Sequence, residues 1–482
     1  MSWNWFVLFA YIAYAIGVTI FLIMDRRQPT STFAWLLAML GLPVVGLIIY
    51  ILTGRTWKAF SRENMYVRRD IGKQLRGLLL PHLPTQETVF KEITKLEQPT
   101  YNRLLRLVHR NSYSAITLNN TVEILQNAQE KYPRLLEDIR NAKHSIHLEY
   151  FIWASDDYMQ QVNDLLIAKA KEGVQVRLLY DAVGSFSVFK VNDRNRLKAA
   201  GVEVMPFSPV LRIHTISYRN HRKIAVIDGC IGYTGGLNMG KEHLEGMGGY
   251  KAWRDTHVRV TGQAARALQA AFVIDWYHGT RLALLDSAYF PPVTEPTETI
   301  PVQLISSGPD SRYESIRQLY FYMITTAQDH VYIQSPFFIL DQSLSEGLKA
   351  AALAGVDVKI MLAPRGCGDN PVAYWAAYTY IVDMIDAGVK VYMYQPGYLH
   401  AKTISVDGIA CSIGSANFDI RSFNIDYELN AILYDAAYAQ RFEVDFLNDL
   451  RECVPFDLLA YKKLPFHTRF RDAASRLLSP LL

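Results

Sequence analysis

The 482 residues are 50% hydrophobic and 20% charged, enough apolar material for a large buried core and, by length, for two or three domains. A formal net charge of +4 is mildly basic and by itself argues for no partner. Four cysteines, Cys230, Cys367, Cys411 and Cys453, follow neither a disulfide framework nor a metal-ligand spacing; this excludes a disulfide scaffold or a cysteine-held metal and predicts buried, reduced thiols.

The N-terminus is the sharpest shift in composition. Trp3 to Met24 carries no charge, Asp25, Arg26 and Arg27 interrupt, and Phe33 to Leu52 is again uncharged. Two stretches of about twenty residues are each long enough for a bilayer core, so residues 1–54 are expected to form a two-helix membrane hairpin. A cleaved signal peptide fits less well, because the first stretch lacks a basic start and a second follows at once. Pro43 and Gly46 predict a kink or a re-entrant turn in the second stretch. Arg55, Lys58, Arg62, Arg68, Arg69, Lys73 and Arg76 come next, against only Arg26 and Arg27 between the stretches. That asymmetry predicts a cytoplasmic location for the bulk of the chain and for its N-terminus, in a cell-membrane protein. Residues 55–100 read as a basic juxtamembrane segment, attractive to anionic headgroups, running into a linker with Pro81 and Pro84.

From Tyr101 the pattern is globular. Helical periodicity is read over Val122 to Ala142, a strand at Ile146 to Trp153, a helix to Glu172 and a strand at Val174 to Tyr180. The order repeats with a helix at Ser315 to Gln328, strand at Val331 to Leu340, helix at Ser343 to Ala354 and strand at Val356 to Leu362. This predicts an α/β fold of two duplicated halves, 101–290 and 291–482, joined by the Pro-rich segment Phe290 to Pro301.

Each half carries one copy of a motif, HRKIAVIDGCIGYTGGLN from His221 and HAKTISVDGIACSIGSAN from His400. Both keep His-x-Lys, four residues, Asp, six residues, then Gly-(Gly/Ser)-x-Asn. Asp228-Gly229 and Asp407-Gly408, between alternating apolar residues, read as hairpin turns. A two-residue turn would set Ser415 opposite His400 and Gly236 opposite His221, with Asn417 and Asn238 on the His/Lys faces; a bulge would shift this register. These residue types suit phosphoryl transfer without a metal. A neutral imidazole can attack phosphorus, a protonated one can protonate the leaving alkoxide, and lysines and asparagines supply charge and donors to the equatorial oxygens. Two merely structural histidines would not explain why Lys and Asn recur with them.

The paired motif resembles the signature of the phospholipase D superfamily. Beyond it, HLEYFIW from His147, EGVQVRLLYDAVGS from Glu172, WRDTH from Trp253, SGPDSRYESI from Ser307, AALAGVDVKIML from Ala351 and the C-terminal RLLSPLL are similar to bacterial cardiolipin synthases. The resemblance implies two phospholipase D-like α/β/α halves related by a pseudo-twofold axis. It implies a catalytic set of His221, Lys223, Asp228, His400, Lys402 and Asp407, with Asn238, Ser415 and Asn417 at the phosphate. Asp255 and Glu428, downstream of His221 and His400 respectively, take the role of orienting the histidine of their own motif. The reaction it implies is transfer of a phosphatidyl group between two phosphatidylglycerols through a phosphatidyl-histidine, without metal or other cofactor. Hydrolysis to phosphatidic acid would use the same residues. A nucleic-acid substrate would better suit a soluble basic dimer, and a membrane scaffold should have lost one of His221, Lys223, His400 or Lys402.

Overall fold

A computed structural model describes residues 3–25, 29–50, 58–79, 86, 89, 99–209, 216–246, 250, 252–293, 299–364 and 370–481. Arg55, Cys367, most of the linker with Pro81 and Pro84, Gly248 and Gly249, and 294–298 of the joining segment lie outside the described residues. The chain divides into two compact units, residues 1–60 with 210–217 and residues 61–209 with 218–482.

In the first unit, α1 (Trp3–Met24) contains the one helix among the described residues, Trp5–Met24, that is long and apolar enough to cross a membrane. The second apolar stretch is not a single helix. It is divided into α2 (Pro29–Gly41) and α3 (Pro43–Ile49), broken where Pro43 predicts a kink, so a second full-length spanning helix is not among the described residues. The break follows from Pro43, which has no N–H to give to the preceding turn. Gly46 permits the close return, since a Cβ there would lie 2.3 Å from the Ala38 carbonyl oxygen. Carbonyls near the break are satisfied from α1. Tyr11 Oη donates to Leu40 O (2.8 Å), and Tyr14 Oη to Met39 O (3.2 Å) and Pro43 O (3.1 Å), as an apolar surrounding would demand.

The second unit takes in all but the first three residues of α4 (Lys58–Leu79) and holds two sheets of matching topology. The first is built from β1 (Asn120–Gln126), β2 (Ser145–Tyr150), β3 (Gln175–Asp181), β4 (Glu203–Phe207), β5 (Ile224–Ile227), β6 (Ile231–Gly235) and β7 (Thr256–Gly262), in the order β1-β7-β6-β5-β2-β3-β4. The second contains β8 (Val302–Ser307), β9 (His330–Ser335), β10 (Asp357–Leu362), β11 (Lys390–Tyr394), β12 (Thr403–Val406), β13 (Ala410–Gly414) and β14 (Glu428–Leu433), in the order β8-β14-β13-β12-β9-β10-β11. Strand for strand the two orders are the same. In each, three strands run parallel and the hairpin pairs antiparallel with the first of them. Two edge strands, Ile116–Thr117 and Cys453–Pro455, widen the second sheet.

Three expectations shift. Asn120–Gln126 is a strand with partly alternating burial, and the helix starts only at Asn127. The helix Pro99–Ser112 and strand Ile116–Thr117 belong to the second half, where Leu104, Leu105, Val108 and Ile116 join the core beneath β8 to β10. Of the described cysteines, Cys411 is buried and Cys453 half-buried, but Cys230 is exposed at its turn.

Between the halves, Val258, Leu268 and Phe272 pack with Ile413, Leu429 and Leu433 in one apolar cluster. Backbone bridges also cross. Tyr398–Leu399 pairs with Trp253–Arg254, and Asn220 with Tyr427, so the residue before each motif histidine is tied to the other half.

Candidate active site

Both motif hairpins turn as Asp-Gly predicts. Asp228 and Gly229 (φ +52° and +65°), and Asp407 and Gly408 (+53° and +62°), occupy the left-handed region required at both central positions of a type I′ turn. One extra residue, Cys230 or Ile409, then bulges, so Ile227 pairs with Ile231 and Val406 with Ala410. The register is therefore one residue off the simple two-residue turn.

The turn aspartates do not join the imidazoles. Asp228 accepts from the amides of Lys143, His144 and Ser145 (2.7–2.8 Å), and Asp407 from those of Gln328, Asp329 and His330 (2.9 Å each). Each carboxylate clips the hairpin to the loop entering β2 or β9. Their assignment to the catalytic set is corrected to a structural one.

At the other end of the hairpins, His221, Lys223, His400 and Lys402 gather in one site. Both histidines are 8% exposed, while Lys223 and Lys402 are 0% and 1%, so the imidazoles form the accessible surface above two buried ammonium groups. Lys223 Nζ donates to the His221 carbonyl (2.6 Å) and Lys402 Nζ to the His400 carbonyl, each lysine bracing its own motif. Phe151 lies edge-on to His221, ring centroids 5.0 Å apart, and Trp253 lies 5.1 Å from His400.

The orienting carboxylates are the two expected residues with their partners exchanged. His221 Nδ1 lies 2.9 Å from Glu428 Oε1, and His400 Nδ1 lies 2.7 Å from Asp255 Oδ2. The bridges explain the exchange, because the His221 amide bonds to Tyr427 O (3.0 Å) and the His400 amide to Arg254 O (2.7 Å). Each histidine is thereby set beside the residue that follows, a carboxylate of the opposite half. An ionised carboxylate only accepts, so Nδ1 carries the proton and Nε2 keeps its lone pair.

The half-sites differ in support. Ser415 Oγ donates to Glu428 Oε2, which makes Ser415 a holder of the carboxylate. At the matching Gly236 a Cβ would lie 2.0 Å from Asp255 Oδ1, and Asp255 takes the Thr256 amide instead (2.8 Å). Asn238 Oδ1 accepts from the Ile152 amide (3.3 Å), whereas Asn417 Oδ1 is buried without a hydrogen-bond partner among the described residues.

Electrostatics follow from burial. Desolvation lowers His221 to about 4 against the pull of Glu428, and holds His400 well below the usual histidine value, with Lys402 and Lys223 adding to the effect. Both rings are neutral at pH 7. Lys223 is pushed down to about 7 and Lys402 to about 8, again chiefly by burial. Glu428 is also buried, but His221, Lys223 and Ser415 outweigh that cost and keep it below the ordinary carboxylate value. For Asp255 burial prevails and its value is raised.

Two neighbours were not singled out from sequence. His243 stacks edge-on to Trp253 (4.3 Å) and lies 6.5 Å from the His400 ring. Lys131 is fully buried, with Nζ 3.1 Å from Met239 Sδ, and senses the charges of Asp255 and Lys223. A signal existed for Lys131: it interrupts the apolar stripe Ala128, Tyr132, Leu135 and Ile139 of its helix.

A family model described as "Cardiolipin synthase, PLD-like domain" matches residues 135–270 and 320–450, and one described as "Phospholipase_D-nuclease N-terminal" matches residues 12–55. The cardiolipin synthase of Oceanobacillus iheyensis is 40% identical over 480 residues, covering 98% of this chain and 97% of that protein. The major cardiolipin synthase of Bacillus subtilis is 38% identical, covering 95% of each chain. Among solved structures, the phosphatidylserine synthase of Haemophilus influenzae superposes with a TM-score of 0.61 at 13% identity, over 79% of this chain and all of that one, a likeness of fold.

Proposed function

The chain belongs to the cardiolipin synthase family of phospholipase D-like proteins, and on that premise we propose that it joins two phosphatidylglycerols into cardiolipin and releases glycerol. The observation that carries the reading is the crossed pair of imidazoles, each with a carboxylate on Nδ1 and a lone pair on Nε2, over two buried lysines.

His221 is the nucleophile in this reading, because its carboxylate partner Glu428 is held below the ordinary value by His221, Lys223 and Ser415 while burial raises Asp255 beside His400, so the negative charge is the more firmly supported at His221. Its Nε2 bonds to phosphorus as the bond from phosphorus to the glycerol oxygen breaks. His400 gives that oxygen a proton. Burial, with Lys402 and Lys223, disfavours an imidazolium at His400, and the phosphodiester's negative charge offsets the two lysines, so bound substrate favours the protonated form. In the second step His400 takes the proton from a hydroxyl of the second phosphatidylglycerol, whose oxygen displaces Nε2 from phosphorus. Attacking and leaving groups stay opposed, which suits two histidines approaching from different halves. Lys223, Lys402, Asn238 and Asn417 serve the equatorial oxygens.

The N-terminal segment enters and leaves the membrane, α1 as one pass and α2 with α3 as a broken second, with the catalytic unit on the cytoplasmic side as the basic residues predict. Held in the plane of its lipids, the enzyme meets donor and acceptor at high effective concentration.

The test is lipid analysis of purified protein in phosphatidylglycerol vesicles with a chelator present. Cardiolipin with an equal amount of free glycerol is expected, and none from His221→Ala or His400→Ala. Phosphatidic acid as the main product would replace the transferase reading with hydrolysis.

A further inference from the structure

Behind the catalytic strands lies a cavity of about 430 Å³ that the reaction above does not use. Its size falls in the range of about 300–1,000 Å³ typical of sites for small organic ligands. Leu429 lines it, and Leu429 alternates with Glu428 along β14, so the cavity is on the reverse face of the strand that orients His221.

Its walls combine hydrocarbon and cations. Ala267, Ala270 and Ala271 lie along one face of the helix Gln263–Thr280, and Arg76 on α4 forms part of another wall. Among the described residues, four arginines line the cavity and no acidic residue does. Two of them are neutralised from outside it, Arg68 by Asp310 (3.0 Å) and Arg222 by Asp275. Arg266 is not. It is 4% exposed, its Nε is buried with no hydrogen-bond partner, and no carboxylate among the described residues pairs with it. Arg76 lies 5.7 Å from the Tyr113 ring centroid and likewise has no ion pair among the described residues. A buried guanidinium without a counter-charge is costly, and an anion in the cavity would remove that cost. Phosphate is an anion that a guanidinium fork matches with two parallel hydrogen bonds, and the alanine stripe beside it offers an apolar surface with no side chain beyond Cβ in the way, which together suit a phosphate that carries a hydrocarbon chain.

We propose that this cavity binds one anionic phospholipid, its phosphate on Arg266 and an acyl chain along Ala267, Ala270 and Ala271, at a site separate from the histidines. The source is the bilayer, because α4 follows the second apolar stretch by a few residues in sequence; this clause rests on the membrane reading above.

Native mass spectrometry of the full chain in neutral detergent tests it, with dioctanoyl phosphatidate, dioctanoylglycerol and inorganic phosphate as separate probes. Wild type should retain two phosphatidates, one at the histidines and one in the cavity. Arg266→Gln should weaken one of the two about tenfold or more, and Ala270→Phe, which fills the cavity, should remove it. His221→Ala should leave the cavity site intact, and failure of the catalytic reading would touch only the phosphatidate at the histidines, not the one that depends on Arg266. A second phosphatidate unchanged in Arg266→Gln overturns the proposal, and that variant decides alone if Ala270→Phe does not fold. Inorganic phosphate or dioctanoylglycerol binding there as tightly as phosphatidate would also overturn it, making the cavity an ion site or a plain apolar one.

Discussion

The two half-sites share one plan and differ in how the carboxylate on each histidine is held. Glu428 is held by the Ser415 hydroxyl and stays ionised beside His221; Asp255, facing Gly236 across the pseudo-twofold, has an amide instead and is less readily ionised beside His400. Two-step transfer needs one imidazole that attacks and one that carries a proton, and equal environments would serve neither role well. The difference teaches that a duplicated site can divide its labour through the support of the carboxylates while the histidines themselves stay alike.

The comparison is broken most severely by removing a ring. His221→Ala should lower transfer by on the order of 10⁴-fold or more and abolish label on the protein when enzyme and radiolabelled lipid are denatured in alkali, where phosphohistidine survives. His400→Ala should slow turnover comparably yet still allow some label to accumulate. Label that depends on His400 and not on His221 would reverse the roles. Next come the carboxylates: Glu428→Gln should cost about 10³–10⁴ in kcat and Asp255→Asn distinctly less, since an amide offers the wrong tautomer most damagingly beside the attacking imidazole. Equal losses would erase the distinction drawn here. Gly236→Ser, which gives both halves the same residue at this place, should instead push Asp255 off His400 and cost on the order of 10² in kcat, because a Cβ would stand 2.0 Å from its oxygen.

Smaller effects sharpen it. The lysines are cationic below their lowered values, about 7 for Lys223 and about 8 for Lys402, and lose charge as pH rises through them. Free enzyme therefore loses attraction for an anionic phosphodiester on the alkaline side, and kcat/KM should fall between pH 7 and 8. A bound phosphate stabilises both ammonium groups, so kcat should hold to higher pH; parallel profiles would contradict the assignment. Asp228→Ala should leave kcat per folded molecule nearly unchanged while lowering thermal stability by roughly 3 kcal/mol, through three amides left without their acceptor. Calorimetry with an activity assay on the same sample separates the two.

Much of this site was legible in sequence because its signal is local. His-x-Lys, Asp-Gly and the terminal Asn lie within eighteen residues of chain, and Asp-Gly correctly marked both turns. Asp255 and Glu428 could be nominated by their position downstream. Their partners could not, because the choice depends on bridges at Asn220 and at Tyr398 that span 207 and 145 residues between histidine and carboxylate. Nothing in the local pattern encodes which half a strand end meets. Ser415 was placed on the phosphate for a similar reason: a single bulged residue, Ile409, moved the register, and the hydroxyl went to Glu428. At the N-terminus Pro43 marked the break in the second stretch, whereas the hydroxyls of Tyr11 and Tyr14 that reach the carbonyls beside it come from another helix and left no local signal.

The exchange of carboxylates also governs inheritance. A substitution in one repeat is felt by the histidine of the other, so neither copy can drift alone without consequences for its twin. Separated into two genes, each product would be a half-enzyme lacking its own orienting acid, and activity would return only on reassembly. Fusion into one polypeptide removes the dilution that a dimer suffers and, by ending the demand that both copies be identical, lets the serine persist in one repeat and the glycine in the other.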